Sequence, residues 1–361
     1  MAVIRPLERD DLPRVADLVR SNLVGWQRDA NVLARNLVDH PWASDPLRSL
    51  VAVDDAGALI GSVGAQSRRL RFGDRKLEAI CVSHLVVATD RRAGAAGALL
   101  VRELLSGDQD LTWTDSGTDG VVRIWRMLGG DLDHTRTCDW MIVLRPGRWL
   151  RGLSGGAVRR AFGRATSTGG WAGPHLAPVR GIPVPSRKGG RDERDSASGG
   201  EAIAEEVSVA ELAEALPELD KEIRLRVDYD ADYLEYVFSY LEMLGLKDEI
   251  VRKLVRRNGR AIGWYAYLAR PVASRVIHVG ASAREVEQVT STLIEDARRR
   301  GIEVLSGRLE PHLDAAVRGR AALLSLNQQP LVHSRDPEIL AAVSSSSSLL
   351  TEMDLIDSEW W

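Results

Sequence analysis

Residues 77–105 change from the periodicity of a strand to that of a helix within a few positions. Residues 80–87, ICVSHLVV, form the apolar, β-branched run of a buried central strand. A small-residue basic turn follows at 91–97, RRAGAAG, and the next segment has leucines at helical spacing, at Leu99, Leu100, Leu104 and Leu105. The first N–H groups of a helix lack intrahelical partners, and small residues leave them accessible. The stretch therefore predicts an anion site of the kind that binds a pyrophosphate.

The spacing within this turn distinguishes it from other phosphate-binding loops. It contains neither G-x-G-x-x-G nor a Walker loop ending in Lys-Ser/Thr. Arg91-x-x-Gly94-x-Ala96 is instead similar to the pyrophosphate loop of the GNAT acetyltransferase superfamily, with an ordinary strand-to-helix turn as the alternative. The resemblance implies acetyl-CoA or another acyl-CoA as co-substrate, held by backbone N–H groups with arginine assistance. The implied contacts are Arg91, Arg92, Ala93, Gly94, Ala95, Ala96 and Gly97.

The order of elements around the turn extends the resemblance. A strand at 3–7 precedes two helical segments, and two hairpin-like pairs cover 49–87. This order resembles the N-terminal half of a GNAT domain. A strand at 111–114, a helix at 120–128 and a final strand at 140–144 complete it.

The second half repeats the pattern in a degenerate form. Asn258-Gly259 marks a hairpin, and a long amphipathic helix ends at Gly301. The strand-to-helix turn before that helix lacks the Arg-x-x-Gly-x-Ala spacing, and Glu285 and Glu287 would repel phosphates. The predicted fold class is therefore mixed α/β, with two GNAT-like domains in tandem. Each has a mostly antiparallel, splayed sheet flanked by helices.

Composition sets the predicted domain boundaries and excludes several functional classes. We predict domains at 1–146 and 201–361, joined by a basic, glycine-rich linker at 147–200. A net charge of −3 does not favour nucleic acid, and two cysteines without metal-site spacing indicate neither a disulfide scaffold nor a metal. No apolar run has transmembrane length and no signal peptide is evident, so we expect a cytoplasmic protein. The tandem layout resembles that of bacterial GNAT-like proteins, which implies a bacterial origin. The linker is either solvated or in peripheral contact with an anionic membrane.

Candidate catalytic residues follow from the strand before the turn. In GNAT enzymes this strand carries the base, and the backbone of its last residue, here Val86, polarises the thioester carbonyl. Strand alternation places Glu78, Ile80, Val82 and His84 on the face of Val86. His84 is the preferred base because it is nearest and titrates near neutral pH, and Glu78 is second. The alternatives are a packed core histidine and a solvated strand-start glutamate.

The helix at 120–128 departs from the family pattern. GNAT domains usually carry a tyrosine there that protonates the leaving thiolate, but Trp125 stands at that position. An indole cannot serve as that acid, so we predict that Trp125 lies on the acceptor side instead. Asp115 and Ser116 follow the neighbouring strand and are further candidates for substrate binding.

The resemblance to GNAT enzymes implies an acyl-CoA-dependent N- or O-acyltransferase. The expected reaction is acetyl transfer to a small-molecule, sugar or natural-product acceptor, with the second domain shaping the acceptor site. One alternative is a catalytically reduced acyl-CoA-binding or scaffolding protein. A weaker one is an aminoacyl transferase of the FemABX kind. The oligomeric state is not predicted.

Overall fold

The computed structural model describes residues 2–22, 29–44, 47–89, 94–148, 201–320, 322–326 and 328–355. The elements of the first half are β1 (Val3–Pro6), α1 (Leu12–Asn22), α2 (Ala30–Leu37), β2 (Leu50–Val53), β3 (Leu59–Phe72), β4 (Arg75–Val87), α3 (Ala96–Leu105), β5 (Leu111–Thr114), α4 (Asp119–Met127), β6 (Asp131–Leu132) and β7 (Cys138–Val143). Those of the second half are β8 (Ala202–Glu206), α5 (Val209–Leu219), β9 (Leu225–Val227), α6 (Ala231–Met243), β10 (Ile250–Arg257), β11 (Arg260–Leu268), β12 (Ala273–Ala281), α7 (Val286–Arg299), β13 (Val304–Arg308), α8 (Asp314–Arg318), β14 (Leu323–Leu326), β15 (Leu331–His333), α9 (Pro337–Val343) and β16 (Ser348–Leu349).

Two mixed, mostly antiparallel sheets flanked by helices form the fold, as the sequence predicted. The first sheet has the order β1-β2-β3-β4-β5-β15-β6, with β9 paired to the far end of β3 and β16 paired to β9. The second sheet has the order β14-β7-β13-β12-β11-β10-β8. The predicted hairpin at Asn258-Gly259 joins β10 to β11, and both turn residues have positive φ.

The two sheets exchange a strand. The sequence predicted residues 140–144 as the last strand of the first domain, but β7 lies in the second sheet between β13 and β14. In return, β15 lies in the first sheet between β5 and β6. Trp140 and Ile142 consequently contribute to the core of the second sheet. An apolar strand pattern identifies a buried face but not its partner strand, so the sequence could not reveal this exchange.

In each sheet one pair of neighbouring strands is parallel, pairs over only a few residues and then diverges. We call the gap between the diverging strands the splay. In the first sheet, residues 79–81 of β4 pair with 111–113 of β5, after which β4 continues to Val87 without β5. In the second sheet, residues 273–276 of β12 pair with 304–307 of β13, and β12 then continues to Ala281. Both sheets therefore splay at corresponding positions.

A buried ion pair connects the loop after β6 with residues 343–348. Arg136 and Asp133 lie 2.6 Å apart, with side chains only 4% and 2% exposed. The same guanidinium donates to the carbonyl of Val343 and to Ser348 Oγ. The Asp133 carboxylate, the Val343 carbonyl and the Ser348 hydroxyl therefore all accept hydrogen bonds from one buried guanidinium.

We expect Arg136→Ala to lower the free energy of unfolding by about 3–5 kcal/mol, because it leaves a carboxylate buried without its partner. The exposed pair Arg126–Asp131 provides the control, and Arg126→Ala should cost less than about 1 kcal/mol. Denaturant unfolding of both variants measures the difference. Equal losses would show that Arg136 does not fasten the chain end.

Candidate active site

A β-bulge interrupts β4 at the open part of the first splay. Gly64 pairs with Ser83 and Ser62 pairs with Val86, so His84 and Leu85 together oppose one residue of β3. His84 has φ 48°, in the left-handed region that histidine enters more readily than most residues. Bulges of this kind redirect side chains and commonly accompany functional sites.

The bulge changes which side chains share a face of β4. Ile80 and Val82 pack in the cluster beneath α3, and Leu85 and Val87 contact the same cluster. Val86 packs on the other side, with the helices α1 and α2. The prediction that Val86 shares a face with Ile80 and Val82 is therefore wrong, because the extra residue shifts the alternation by one.

The two predicted bases lie at opposite ends of β4. His84 is half-buried beyond the last pairing with β5, and its Nδ1 lies 2.9 Å from Ser83 Oγ. Glu78 is exposed at the start of the strand, where its backbone N–H donates to Asp110 Oδ2 at 2.9 Å. Six residues of extended chain separate them by about 20 Å. The structure therefore places His84, and not Glu78, at the splay.

The N-terminus of α3 lies beside the open end of β4. A Cβ added to Gly97 would lie 3.5 Å from Val87 Cγ1, so the first turn of α3 contacts the end of the strand. Gly94 and Ala95 are exposed, and Ala95 occupies the N-cap position without a side chain that can cap. The first turn of α3, residues 96–99, carries no acidic side chain. Of the predicted loop, Arg91, Arg92 and Ala93 lie outside the described residues.

Asp115 and Ser116 lie on the other side of the splay. Both follow the carboxyl end of β5, which is parallel to β4, so they lie at the same end of the sheet as the bulge. Asp115 is half-buried and accepts a hydrogen bond from Ser116 Oγ at 3.3 Å, and Thr114 Oγ1 donates to the carbonyl of Ser116 at 3.2 Å. Their role in substrate binding stays a prediction.

Trp125 occupies a core position. Its side chain is 1% exposed and packs with Val122 and Leu331. A Cβ at Gly130 would lie 2.8 Å from Trp125 Cε3, so the neighbouring turn closes tightly over the indole. This position does not support the predicted contact with substrate, because a fully enclosed indole cannot touch a bound molecule.

The corresponding splay of the second sheet is filled by residues 348–355, called here the C-terminal segment. Arg308 donates to the carbonyl of Leu350 at 3.0 Å, and His278 Nδ1 lies 2.9 Å from Thr351 Oγ1. Arg275 donates to Glu352 Oε1 at 2.9 Å. These contacts come from β12 and β13, the two strands that diverge, so the chain itself occupies the space between them.

Burial controls the charges around the C-terminal segment. It lowers the pKa of the His278 imidazole well below its ordinary value and that of His312 to about 4, so both rings are neutral at pH 7. It also raises the pKa of the Glu310 carboxyl to about 7. These three side chains are therefore shielded from water, and a small cavity lined by Ala281, His312, Ser348 and Leu349 remains beside the C-terminal segment.

The described residues contain neither a metal-binding cluster nor a membrane-spanning helix. No group of three or more histidine, cysteine or carboxylate side chains is placed to hold a metal ion in the part of the chain that the structure describes. Within the same residues, no helix has both the length and the apolar character that a membrane span requires.

Comparison with solved structures assigns the fold. No family model and no curated protein matches the sequence. A probable N-acyltransferase from Enterococcus faecalis V583 is 10% identical, with a TM-score of 0.60 over 92% of this chain and 73% of that one. A GCN5-related N-acetyltransferase from Anabaena variabilis is 11% identical, with a TM-score of 0.58 over 93% and 74% of the two chains. Eis1 from Mycobacterium abscessus is 16% identical, with a TM-score of 0.55 over 95% and 76%.

These similarities extend over both sheets, because each covers more than nine-tenths of the chain. The protein therefore has the fold of the GCN5-related N-acetyltransferases, which confirms the fold that the sequence resemblance implied.

Proposed function

We propose that this protein is an acyl-CoA-dependent N- or O-acyltransferase that works at the splay of the first sheet. The observation that carries the proposal is the juxtaposition of the bulge at His84 with the uncapped, acid-free N-terminus of α3. An amine or hydroxyl of the acceptor attacks the thioester carbonyl, the C–S bond breaks, and CoA leaves as its thiolate. The acceptor is a small molecule, and acetyl-CoA is the first donor to test.

The N-terminus of α3 is suited to the pyrophosphate of CoA. Its first-turn N–H groups have no intrahelical partners, and the helix dipole adds partial positive charge there. Gly94 and Ala95 leave the backbone accessible, since neither carries a large side chain. Arg91 and Arg92 remain proposed contacts that add positive charge.

His84 is the proposed general base. It lies at the open part of β4, where an acceptor can approach, and a histidine side chain ordinarily titrates close to neutral pH. The backbone of Val86 remains the proposed contact of the thioester carbonyl, and this role does not depend on its side chain. A thiol has an ordinary pKa of about 8.5, so the leaving thiolate can take its proton from water although Trp125 is no acid.

The second sheet is proposed to support the acceptor side rather than to bind a second CoA. Its own splay is occupied by the C-terminal segment. Its helix α6 contacts α2 of the first half, through Arg35 donating to Ser239 Oγ at 2.8 Å and Asn36 donating to Tyr240 Oη at 2.9 Å. Since α2 packs over the strands that hold the bulge, α6 can influence acceptor binding through it.

The buried Trp125 favours one second candidate, an acyl-CoA-binding protein with reduced catalysis, because the usual acid is missing. Such a protein would bind acyl-CoA without turnover. The FemABX-like alternative and the membrane contact relied on the basic linker, of which residues 149–200 lie outside the described residues.

The CoA site can be tested with two substitutions at one position. Ala95→Asp places a carboxylate at the N-cap, where it favours the helix but repels a pyrophosphate. We expect it to weaken acetyl-CoA binding by tenfold or more, as two like charges about 4 Å apart near a protein surface repel by a few kcal/mol. Ala95→Asn adds a cap of the same shape without the charge, so it should weaken binding less than Ala95→Asp. Calorimetric titration with acetyl-CoA distinguishes the two variants. Equal affinities would show that the pyrophosphate does not bind at this helix.

A further inference from the structure

Ser83 and His84 form a hydroxyl–imidazole pair within the bulge. Ser83 Oγ lies 2.9 Å from His84 Nδ1, within hydrogen-bond distance, and both side chains are half-buried. The left-handed backbone of His84 brings its ring beside the preceding side chain. Sequence analysis did not identify Ser83, because a serine inside an apolar strand carries no signal of its own.

Gly64 makes room for this serine. It is the residue of β3 directly opposite Ser83. A Cβ at Gly64 would lie 2.6 Å from Ser83 Oγ and 2.8 Å from Leu37 Cδ2, both closer than real Cβ contacts. Any larger residue at 64 would therefore displace the Ser83 hydroxyl or the Leu37 side chain of α2 that packs over it. The position of the hydroxyl is thus set by three elements, namely β3, β4 and α2.

The chemical consequence concerns the tautomer of the imidazole. A neutral imidazole carries one proton, and the partner of one nitrogen decides which nitrogen keeps it. Nδ1 faces the hydroxyl of Ser83 on the same strand, and Nε2 is the nitrogen at the far side of the ring. A base that works through Nε2 needs its proton on Nδ1, and the Ser83 hydroxyl, which can donate or accept, stabilises that state when it accepts from Nδ1.

We propose that Ser83 is a positioning residue that accepts a hydrogen bond from His84 Nδ1 and so keeps Nε2 unprotonated. Its effect on catalysis rests on the proposed function, but its effect on the tautomer does not. Partners that orient metal-ligating histidines typically contribute ten- to a hundredfold to metal affinity or activity, and we expect an effect of similar size for this imidazole. Gly64 supports the arrangement by leaving the space that the hydroxyl occupies.

The test compares the full-length protein with Ser83→Ala and Ser83→Thr. Long-range proton–nitrogen NMR at pH 8, where histidine side chains are ordinarily neutral, reports the tautomer of His84 directly. The wild type and Ser83→Thr should carry the proton on Nδ1, and Ser83→Ala should shift it toward Nε2. Thiol release from acetyl-CoA should fall about ten- to a hundredfold in kcat for Ser83→Ala, with KM little changed, and recover in Ser83→Thr.

Ser62→Ala is the matched control. Ser62 lies on β3 opposite Val86 at the same bulge, and its buried hydroxyl has no hydrogen-bond partner among the described residues. It should change neither the tautomer nor kcat. A wild type protonated on Nε2, or a Ser83→Ala variant with an unchanged tautomer, overturns the proposal. Absence of acetyl-CoA binding to the wild type in a calorimetric titration would overturn the proposed function instead, while the NMR result still decides the role of Ser83.

Discussion

Fragments 1–148 and 201–361 are each expected to remain unfolded when expressed alone, and to fold when expressed together. The reason is the strand exchange. Leu331 of β15 pairs with both Thr114 of β5 and Leu132 of β6, so fragment 1–148 lacks the strand that joins β5 to β6. Fragment 201–361 correspondingly lacks β7, which joins β13 to β14. Each fragment would therefore expose a sheet with a missing internal strand.

The measurement is co-purification through a tag on one fragment only. The expected product is a one-to-one complex that unfolds in a single transition, whereas each fragment alone should aggregate or lack cooperative unfolding. The matched control is the intact chain with a protease site placed between residues 148 and 201, which should stay folded after cleavage. A soluble, cooperatively unfolding 1–148 fragment would contradict the exchange and support the domain boundaries predicted from the sequence.

Replacement of His84 by alanine is expected to lower kcat by about two to four powers of ten, the usual contribution of a general base. Acetyl-CoA affinity should change little, because His84 lies on β4 while the proposed pyrophosphate contact lies on α3. The wild-type rate should rise with pH as the imidazole loses its proton and becomes able to act as a base. The alanine variant should lose that rise.

Glu78→Gln separates the two bases that the sequence proposed. Glu78 lies at the other end of β4 and is exposed, so its substitution should leave the pH profile of thiol release unchanged. Calorimetric titration with acetyl-CoA accompanies both variants, so that a loss of binding is not mistaken for a loss of catalysis. A loss in Glu78→Gln with normal rates in His84→Ala would assign the base to Glu78. Normal rates in both variants would leave His84 as a packing residue.

The sequence alone was sufficient for the features that depend on neighbouring residues. The change of period across residues 77–105 correctly predicted a strand, a turn and a helix, seen as β4 and α3. Asn258-Gly259 correctly predicted a hairpin, because this dipeptide readily adopts the positive φ values observed there. In both cases the determining interactions lie within a few residues along the chain. The tandem fold was inferred from the resemblance of the order of elements to GNAT domains.

Only the tertiary structure decided how these elements combine into a site. Alternation along β4 implied one continuous face, but the bulge opposite β3 shifted it and set His84 beside Ser83. An apolar pattern identified β7 and β15 as strands, yet each pairs with the sheet of the other half. The C-terminal segment fills the second splay through buried contacts with β12 and β13. Register, strand partners and the filling of a cleft depend on contacts between residues far apart in the chain, which periodicity does not encode.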